Sequence, residues 1–281
     1  MSTPTIPNRF HFIFGLRRQT EPFHLCHYLC LESCLQVNRP EAVYFHYRHE
    51  PYGPYWELIR DRLILRRVES PLSSLRAWLR YGWKNRACGR YRYAHQSDFL
   101  RLDALLEHGG IYADMDTLFI NPIPAELFRK PFVIGRENDV ACRTSGRMEA
   151  SLCNAFLMAP PASEFARLWR SRMMEEFDGS WSRHSTLLPH RLSRENPTLV
   201  HIEQARSFYR YMWTREDLRM LFEGCDPDFS EMVSIHLWGH LWWDRNRRDF
   251  SDFHAEMLTE EYVRGAETTY SLAARRFLGP G

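Results

Sequence analysis

Short apolar segments alternate with segments of helical periodicity along the N-terminal part of the chain. Apolar runs of strand length cover Ile6 to Phe14, Ala42 to Tyr47 and Ile64 to Val68. Between them, Pro22 to Val37 and Tyr55 to Leu63 have the spacing of helices. Strands that alternate with helices in this way predict an α/β fold with a mostly parallel, Rossmann-like sheet.

A further helix is predicted in the middle of the chain, at Gln96 to His108. Ser97 is its expected N-cap, Asp98 lies in its first turn, and Gly109-Gly110 ends it. The other predicted segments, in chain order, are a loop and helix over the sheet at Pro71 to Tyr93, and short strands at Ile111 to Ala113, Leu118 to Ile120 and Met232 to Ile235.

The C-terminal half has a different pattern, mainly helical and polar from Pro160 to Asp217, with breaks expected at Pro189 and Pro197. No internal repeat and no low-complexity linker is visible. The simplest prediction is one compact domain over residues 1–281, in which a helical insertion follows the sheet.

Composition excludes some classes of protein. A net charge of +2 gives no basic excess of the kind that nucleic-acid-binding proteins carry, so no nucleic-acid partner is expected. Clusters such as Arg245, Arg247 and Arg248 leave contact with phosphate or with a membrane surface open. No apolar run is long enough to span a bilayer, and no transmembrane segment is expected.

The cysteines and the start of the chain bear on the compartment. Met1 to Phe10 lacks the pattern of a signal peptide, and seven cysteines, an odd number, favour reduced thiols. Cys26, Cys30 and Cys34 fall on one helical face, a spacing that favours core packing over an iron–sulfur site. The expectation is a soluble, bacterial-type cytoplasmic protein, with peripheral contact with the inner membrane left open.

Asp114 and Asp116 are the first candidates for chemistry. In an extended stretch, both carboxylates would face one side while Met115 faces the other. Two close carboxylates repel each other unless a cation or a proton lies between them. A divalent ion with oxygen ligands relieves this repulsion and keeps positions open for a phosphate, which suits a diphosphate leaving group. Taken alone, the pair also fits a solvated acidic loop.

Asp98 and Arg101 lie one helical turn apart on the predicted helix that leads into the acidic pair. A carboxylate there suits ribose or hexose hydroxyls, and a guanidinium suits sugar oxygens or phosphate. The pair also fits a surface ion pair, which contributes little stability.

Residues 94–117 resemble the signature of the DXD sugar-transferase family, which includes yeast-type mannosyltransferases and α-1,4-galactosyltransferase. The family is similar to the large glucosylating bacterial toxins. The shared positions are Ser97-Asp98, Arg101, Leu105, Gly109-Gly110, Ile111-Tyr112, Asp114 and Asp116.

This resemblance implies a fold of the GT-A type and a hexose transfer that uses Mn²⁺ or Mg²⁺. The implied donor is a nucleotide sugar such as a UDP-hexose or GDP-mannose, and most members retain the anomeric configuration. Residues 1–125 would bind the donor and the metal, and residues 126–281 would provide acceptor-side helices and a closing C-terminal segment. The implied catalytic residues are Asp98, Arg101, Asp114 and Asp116.

Looser matches extend the implied donor site. They are Phe14, which would stack on the donor base or pack in the core, Asn154, which would line the sugar pocket or serve as a buried turn amide, and a terminal motif of His236, Trp238 and Trp242. Ser97 of the signature is also an implied donor-site residue. The terminal motif would close over the diphosphate, with His236 completing the metal shell beside the two acids. The spacing of His236 and His240 also invites a zinc site, although the glutamate of a zinc hydrolase is missing.

Two alternatives compete with a transferase. Asp114-x-Asp116-Thr117 also fits the nucleophile loop of an aspartyl-phosphate phosphatase, although three predicted strands precede it. A non-catalytic carbohydrate-binding protein is the other alternative. For a transferase in polysaccharide synthesis, the acceptor would be a glycan, a glycolipid or a protein. Ser185 to Arg194 lacks the expected Thr-Gly-Pro run, so the resemblance says least about the acceptor.

Overall fold

A computed structural model describes residues 5–69, 92–248 and 250–279. The loop and helix predicted for Pro71 to Tyr93 therefore lie outside the described residues, except for the last two positions.

The centre of the fold is a seven-stranded sheet in the order β10-β6-β9-β4-β1-β2-β3. Every neighbouring pair is parallel except the two pairs made by β9, which runs against β4 and β6. This mixed, mostly parallel sheet confirms the predicted α/β fold class. The strands are β1 Arg9–Phe14, β2 Ala42–Tyr47, β3 Ile64–Arg67, β4 Gly110–Ala113, β6 Val133–Arg136, β9 Leu152–Ala159 and β10 His201–Glu203.

Two small ribbons accompany this sheet. β5 Thr117–Phe119 pairs antiparallel with β11 Ser234–His236, and β7 Val140–Ala141 pairs with β8 Met148–Glu149. The first ribbon matters for the site, because it joins the segment after the acidic pair to the C-terminal part of the chain.

Helices cover both faces of the sheet, and side chains alternate between two apolar cores. Phe10 and Phe12 of β1 join the core beneath α1, whereas Ile13 joins the core beneath α3 and α4. The helices are α1 Leu25–Asn38, α2 Pro54–Ile59, α3 Arg92–His108, α4 Glu164–Glu176, α5 Leu188–Glu195, α6 Ala205–Tyr209, α7 Arg215–Phe222, α8 Glu260–Gly265 and α9 Thr269–Ala274, together with a π-helix at Arg183–Leu187 and 3-10 turns at Arg60–Arg62, Leu127–Arg129, Pro197–Leu199, Gly239–Leu241, Ala255–Met257 and Arg275–Phe277.

The predicted start of α3 was wrong. The helix already includes Arg92, so Ser97 lies inside it rather than at its N-cap, and Asp98 lies beyond its first turn. The cause is local, since residues 92–96 contain no glycine or proline that would end a helix. Its C-terminal end agrees with the prediction at Gly109-Gly110.

Gly109 and Gly110 fix how closely β4 approaches β1. Both have positive φ, at 61° and 110°, which favours glycine. A Cβ added at Gly110 would stand 2.3 Å from the backbone oxygen of Arg9 on β1. The two glycines therefore turn the chain from α3 directly into the strand that precedes the acidic pair.

The prediction of a mainly helical segment from Pro160 to Asp217 was incomplete, because β10 of the main sheet lies within it, and β6 and β9, which precede it, were not predicted. β9 is buried on both faces except at Asn154, so it lacks the alternation that identifies a strand. Pro189 does not break the helical region. It lies in the first turn of α5, where proline is favoured, and Pro197 likewise opens a 3-10 turn.

A shift in register separates β9 into two parts. Ile134 of β6 pairs with Leu157, but the next residue, Gly135, pairs with Cys153. Residues 154–156 are therefore left without partners on β6. They contact β4 instead, where Ala113 pairs with Phe156.

Two other predictions can be compared with the structure. Cys26, Cys30 and Cys34 of α1 are fully buried in the core, which confirms the packing interpretation. None of the described helices has both the length and the apolar character needed to cross a bilayer.

Candidate active site

Asp114 and Asp116 lie in a turn between β4 and β5, so the prediction of an extended stretch was wrong. The backbone N–H of Thr117 donates to the carbonyl of Asp114 at 3.0 Å and closes the turn. The two carboxylates converge nevertheless, while the Met115 side chain is buried in the core. The two carboxylates therefore face the same side because of the turn, and not because side chains alternate along a strand.

The β5–β11 ribbon brings His236 to these acids. Thr117 pairs with His236 across the ribbon. The His236 Nε2 atom lies 3.1 Å from Asp116 Oδ1 and 3.8 Å from Asp114 Oδ2. The backbone N–H of Gly239 donates to Asp116 Oδ2 at 2.7 Å. The C-terminal segment therefore packs directly against the acidic turn.

Asp114, Asp116 and His236 form a donor set that fits a divalent cation. One ligand atom from each lies within 4.8 Å of the others. Two carboxylate oxygens and an imidazole nitrogen suit Mn²⁺ and Mg²⁺ better than a structural zinc, which favours thiolates and histidines. His240 is exposed and is not part of this group.

The pKa values of the two acids move in opposite directions. Burial raises the pKa of Asp114, and the charge of Asp116 raises it further, although Arg101 opposes both. Burial acts on Asp116 too, but His236 and the N–H of Gly239 outweigh it and lower the pKa of that carboxyl. A cation between the two carboxylates would relieve the repulsion that Asp114 experiences.

Arg101 of α3 connects the acidic turn to the helix. Its Nη2 atom lies 3.2 Å from Asp98 Oδ1 and 3.5 Å from Asp114 Oδ1, and its Nη1 donates to the Asn154 backbone oxygen at 2.6 Å. The guanidinium carbon stands 4.5 Å from the ring centroid of Tyr112. The predicted proximity of Arg101 to the acids is therefore present in the structure.

Asp98 is held by partners inside the protein. Its Oδ1 accepts from Asn154 Nδ2 at 2.8 Å, and its Oδ2 lies 3.0 Å from His184 Nε2. Burial opposes ionisation, but Arg101 and His184 outweigh it and hold the pKa of Asp98 well below its usual range. This arrangement orients Arg101 and Asn154, and the contact of Asp98 with a sugar hydroxyl stays a prediction.

His95, Asp98 and His184 form a second group whose ligand atoms lie close together. This group offers a hard divalent cation only one carboxylate, whereas the acidic turn offers two. The acidic turn is therefore the better cation site.

Tyr112 is a site residue that sequence reasoning did not single out. Its hydroxyl donates to Asp114 Oδ1 at 2.5 Å and lies 3.3 Å from Ser97 Oγ. Ser97 thus reaches Asp114 indirectly, through Tyr112 and through Arg101, which donates to its backbone and hydroxyl oxygens. The signal was available, because positions 112 and 114 lie two residues apart and face the same side at the end of β4.

The predicted aromatic residues occupy different positions. Phe14, at the end of β1, is half-buried and packs at 4.8 Å against His27, which is hydrogen-bonded to the Met115 carbonyl. Trp238 has positive φ, at 53°, and its ring stands 4.2 Å from that of His236. Both therefore lie beside the acidic turn.

Trp242 does not. It is fully buried between Phe222 and Phe253, so this side chain cannot contact a ligand in the observed conformation. Its neighbour Trp243 is only half-buried and stacks on His27 at 4.9 Å. Adjacent tryptophans cannot be assigned to core or site without knowing the turn that precedes them.

Comparisons with known proteins agree with this site. Residues 51–138 match the family described as "Glycosyltransferase sugar-binding region containing DXD motif". Glucan organizing enzyme 1 of the fungus Cryptococcus neoformans var. grubii is 31% identical over 285 residues, which cover 98% of this chain and 71% of that protein. The acidic turn, the family match and the relative together define a glycosyltransferase with a DXD motif. The chain belongs to the DXD-motif sugar-transferase family.

Solved structures resemble the chain more distantly. PaToxG glycosyltransferase has a TM-score of 0.44 at 14% identity, over 69% of this chain and 71% of that chain. The glycosyltransferase GlyE of Streptococcus pneumoniae has a TM-score of 0.37 at 9% identity, over 69% and 45%. The assignment rests on the family match and not on these scores.

Membership in this family confirms that the predicted enzyme class, a glycosyltransferase, is correct. It favours this class over the phosphatase and the non-catalytic carbohydrate-binding protein. The bacterial-type origin and the cytoplasmic location stay predictions, and the relative named above is fungal.

Proposed function

We propose that this protein is a metal-dependent transferase that moves a hexose from a nucleotide sugar to a glycan hydroxyl, with retention of configuration. The observation that carries the proposal is the convergence of Asp114, Asp116 and His236 on one point, beside the guanidinium of Arg101.

A cavity at the same edge of the sheet supports a nucleotide donor. It has a volume of about 460 Å³ and lies where β1, β2 and β3 end, with Arg18, Arg48 and Arg67 among its lining residues. β4, which ends at the acidic turn, is the neighbour of β1 on the other side. Ligands of open α/β sheets bind at the carboxyl ends of the strands, and arginines there suit an anionic nucleotide.

The residues of the chain have separate roles in this proposal. Asp114, Asp116 and His236 would hold Mn²⁺ or Mg²⁺, which supplies charge neutralisation for a departing diphosphate. Arg101 adds fixed positive charge on the sugar side, and Asp98 and Asn154 keep it in place. Trp238 and Gly239 keep the C-terminal segment packed against the acids and exclude water there.

The proposed transfer needs no dedicated base. The bond between the anomeric carbon and the phosphate oxygen breaks, and the acceptor oxygen bonds to the anomeric carbon on the same face. The proton of the acceptor hydroxyl passes to the departing phosphate oxygen.

A glucan is the acceptor that we favour among glycans, glycolipids and proteins. The support is the name of the fungal relative, a glucan organizing enzyme that matches nearly the whole of this chain. Whether the donor is a UDP sugar or a GDP sugar stays open.

Asp116→Ala is the decisive variant. We expect it to abolish both sugar transfer and the Mn²⁺-dependent rise in melting temperature in the presence of UDP or GDP, because a ligand stabilises only the state that binds it. Asp103→Asn is the matched control, since Asp103 lies on α3 and pairs with Arg170 away from the acids. Mn²⁺-dependent turnover in Asp116→Ala would refute the proposed role of the pair.

A further inference from the structure

A second cavity adjoins the acidic turn. It has a volume of about 230 Å³, and Trp238 and His240 are among its lining residues. Between these two, Gly239 donates its backbone N–H to Asp116. The loop that closes over one carboxylate is therefore also a wall of this cavity, so a molecule bound in it would lie next to the proposed metal site.

Three tryptophans line this cavity, and each belongs to a different segment of the chain. Trp181 precedes the π-helix, Trp213 precedes α7, and Trp238 follows β11. Trp181 is 42% exposed, although large apolar side chains are usually covered. Flat indole faces with polar groups at their edges suit the C–H face of a sugar ring. Thr186 and Ser182 add hydroxyl groups to the same wall.

Glu137 contributes the only carboxylate among the lining residues. It follows β6 and is 9% exposed, and its buried Oε1 atom has no hydrogen-bond partner among the described residues. A buried polar atom without a partner is uncommon in a native structure and calls for an explanation. Burial raises the pKa of Glu137 to about 7, although hydrogen bonds with the Ser151 and Cys153 side chains oppose the shift. A ligand hydroxyl would provide the missing hydrogen bond.

The charge of this cavity differs from that of the cavity at the ends of β1 to β3. No arginine or lysine is among its lining residues in the described part of the chain, whereas Arg18, Arg48 and Arg67 line the other. The arginine-lined cavity suits an anionic donor, and the tryptophan-lined cavity suits a neutral ligand. Its volume is below that of pockets for drug-sized ligands, about 300–1,000 Å³, and suits a ligand of about one sugar ring.

We propose that this cavity is the acceptor subsite and binds a neutral sugar ring, stacked on Trp181 or Trp213 and hydrogen-bonded through a hydroxyl to Glu137. The inference rests on the proposed function, because it gives that transferase its acceptor. A phosphorylated acceptor is disfavoured, because Glu137 lines the cavity and, among the described residues, no arginine or lysine does.

Two measurements test the subsite separately from the transferase activity. In the first, calorimetry measures the direct binding of glucose, cellobiose, laminaribiose and maltose to the full chain in the absence of donor. The second is steady-state transfer, with hydrolysis of the nucleotide sugar in the absence of acceptor as a readout of the donor site. The variants are Glu137→Gln, Trp213→Ala and Trp181→Ala. Trp181 is exposed enough that its removal leaves the core intact.

The expected result is a rise of at least about tenfold in the KM or Kd for the sugar in Trp213→Ala and Trp181→Ala, and a smaller rise in Glu137→Gln, with donor hydrolysis unchanged. Glu32→Gln is the matched control, since Glu32 is also buried but lies on α1, pairs with Arg62 and is not among the residues that line the cavity. It should leave both constants unchanged.

The outcomes separate the two proposals. If the wild type neither hydrolyses nor transfers a nucleotide sugar, the proposed function fails, and calorimetry alone then decides the subsite. If sugars bind and transfer equally well in the wild type and in all three variants, the subsite is refuted while the transferase remains. Failure of the wild type to bind any of the four sugars and to show any acceptor dependence overturns the subsite too.

Discussion

Arg101 is the side chain that joins most of the polar groups around the acidic turn. Its guanidinium contacts Asp98, Asp114 and the backbone of Asn154 and stands over the ring of Tyr112. A planar guanidinium can serve these partners together, whereas an ammonium group is a single point charge. The geometry of this residue should therefore matter as much as its charge.

We predict that Arg101→Lys lowers kcat/KM for sugar transfer by about 100-fold, the scale seen when one preorganised donor to a reacting anion is lost. Steady-state transfer measures the effect, and circular dichroism establishes that the variant is folded. Arg170→Lys, at a partly exposed pair with Asp103, should change transfer by less than about twofold. Similar kcat/KM values for Arg101→Lys and the wild type would contradict a geometric role.

The sequence was sufficient to predict most residues of the site, but not the partners that these residues contact. Asp114, Asp116, Arg101 and His236 were predicted together and lie together. Asp98 was expected to face the sugar, which stays a prediction, but its contacts with Asn154 and His184 were not foreseen. Hydrogen-bond partners from distant segments, such as His184, cannot be read from the spacing of a local motif.

Among the elements, the β5–β11 ribbon has the largest influence on the site. It joins Thr117 to His236, and one turn later Gly239 reaches Asp116. A Cβ added at Gly239 would stand 3.2 Å from Asp116 Oδ2. That distance is short for a carbon–oxygen contact, so either the loop or the carboxylate would have to move.

We predict that Gly239→Ala weakens Mn²⁺ activation by about tenfold, as expected when a group that orients a metal ligand is disturbed. The measurement is the Mn²⁺ concentration that gives half-maximal transfer. Gly265→Ala is the control, because its added Cβ has no neighbour within 4 Å. An unchanged Mn²⁺ requirement in Gly239→Ala would show that the loop tolerates the shift and does not orient Asp116.

The elements that sequence reasoning missed share a physical cause. The N-terminal strands have alternating or bounded apolar runs, and β2 was predicted with its observed limits. β9 is buried on both faces and continues into the core, so its residues resemble a buried helix as much as a strand. β6 and β10 have four and three residues, too few to show a period.

For the whole molecule, two buried histidines on neighbouring strands link stability to pH. His11 Nδ1 lies 3.0 Å from His46 Nε2, and His11 Nε2 lies 2.9 Å from the carbonyl of Gly109. A carbonyl only accepts, so His11 donates from Nε2 and accepts at Nδ1 from His46. This arrangement requires a neutral imidazole at His11, because an imidazolium has no nitrogen that could accept from His46.

Burial lowers the pKa of His11 to about 4 and that of His46 to about 3. Between these values and the ordinary 6.5, the unfolded chain binds protons that the folded chain does not, so stability falls as the pH falls. We predict a loss of about 2 kcal/mol per imidazole between pH 7 and pH 5. Urea unfolding at several pH values measures it.

The variant His46→Gln removes one of these titrating groups and should flatten the dependence of unfolding free energy on pH over the same window. A variant at an exposed histidine, His240→Gln, should keep the slope of the wild type. Parallel slopes for His46→Gln and the wild type would mean that the buried pair does not titrate as described.

Because of the shift in register between β6 and β9, the geometry of the site depends on the number of residues in this part of β9. Three residues on β9 bypass β6, and this detour leaves Asn154 facing Arg101 and Asp98. Removing one residue from the detour would exchange the faces of its remaining side chains. Insertions and deletions here should therefore be far more damaging than those in the exposed hairpin between Ala141 and Met148, where no site residue depends on the count.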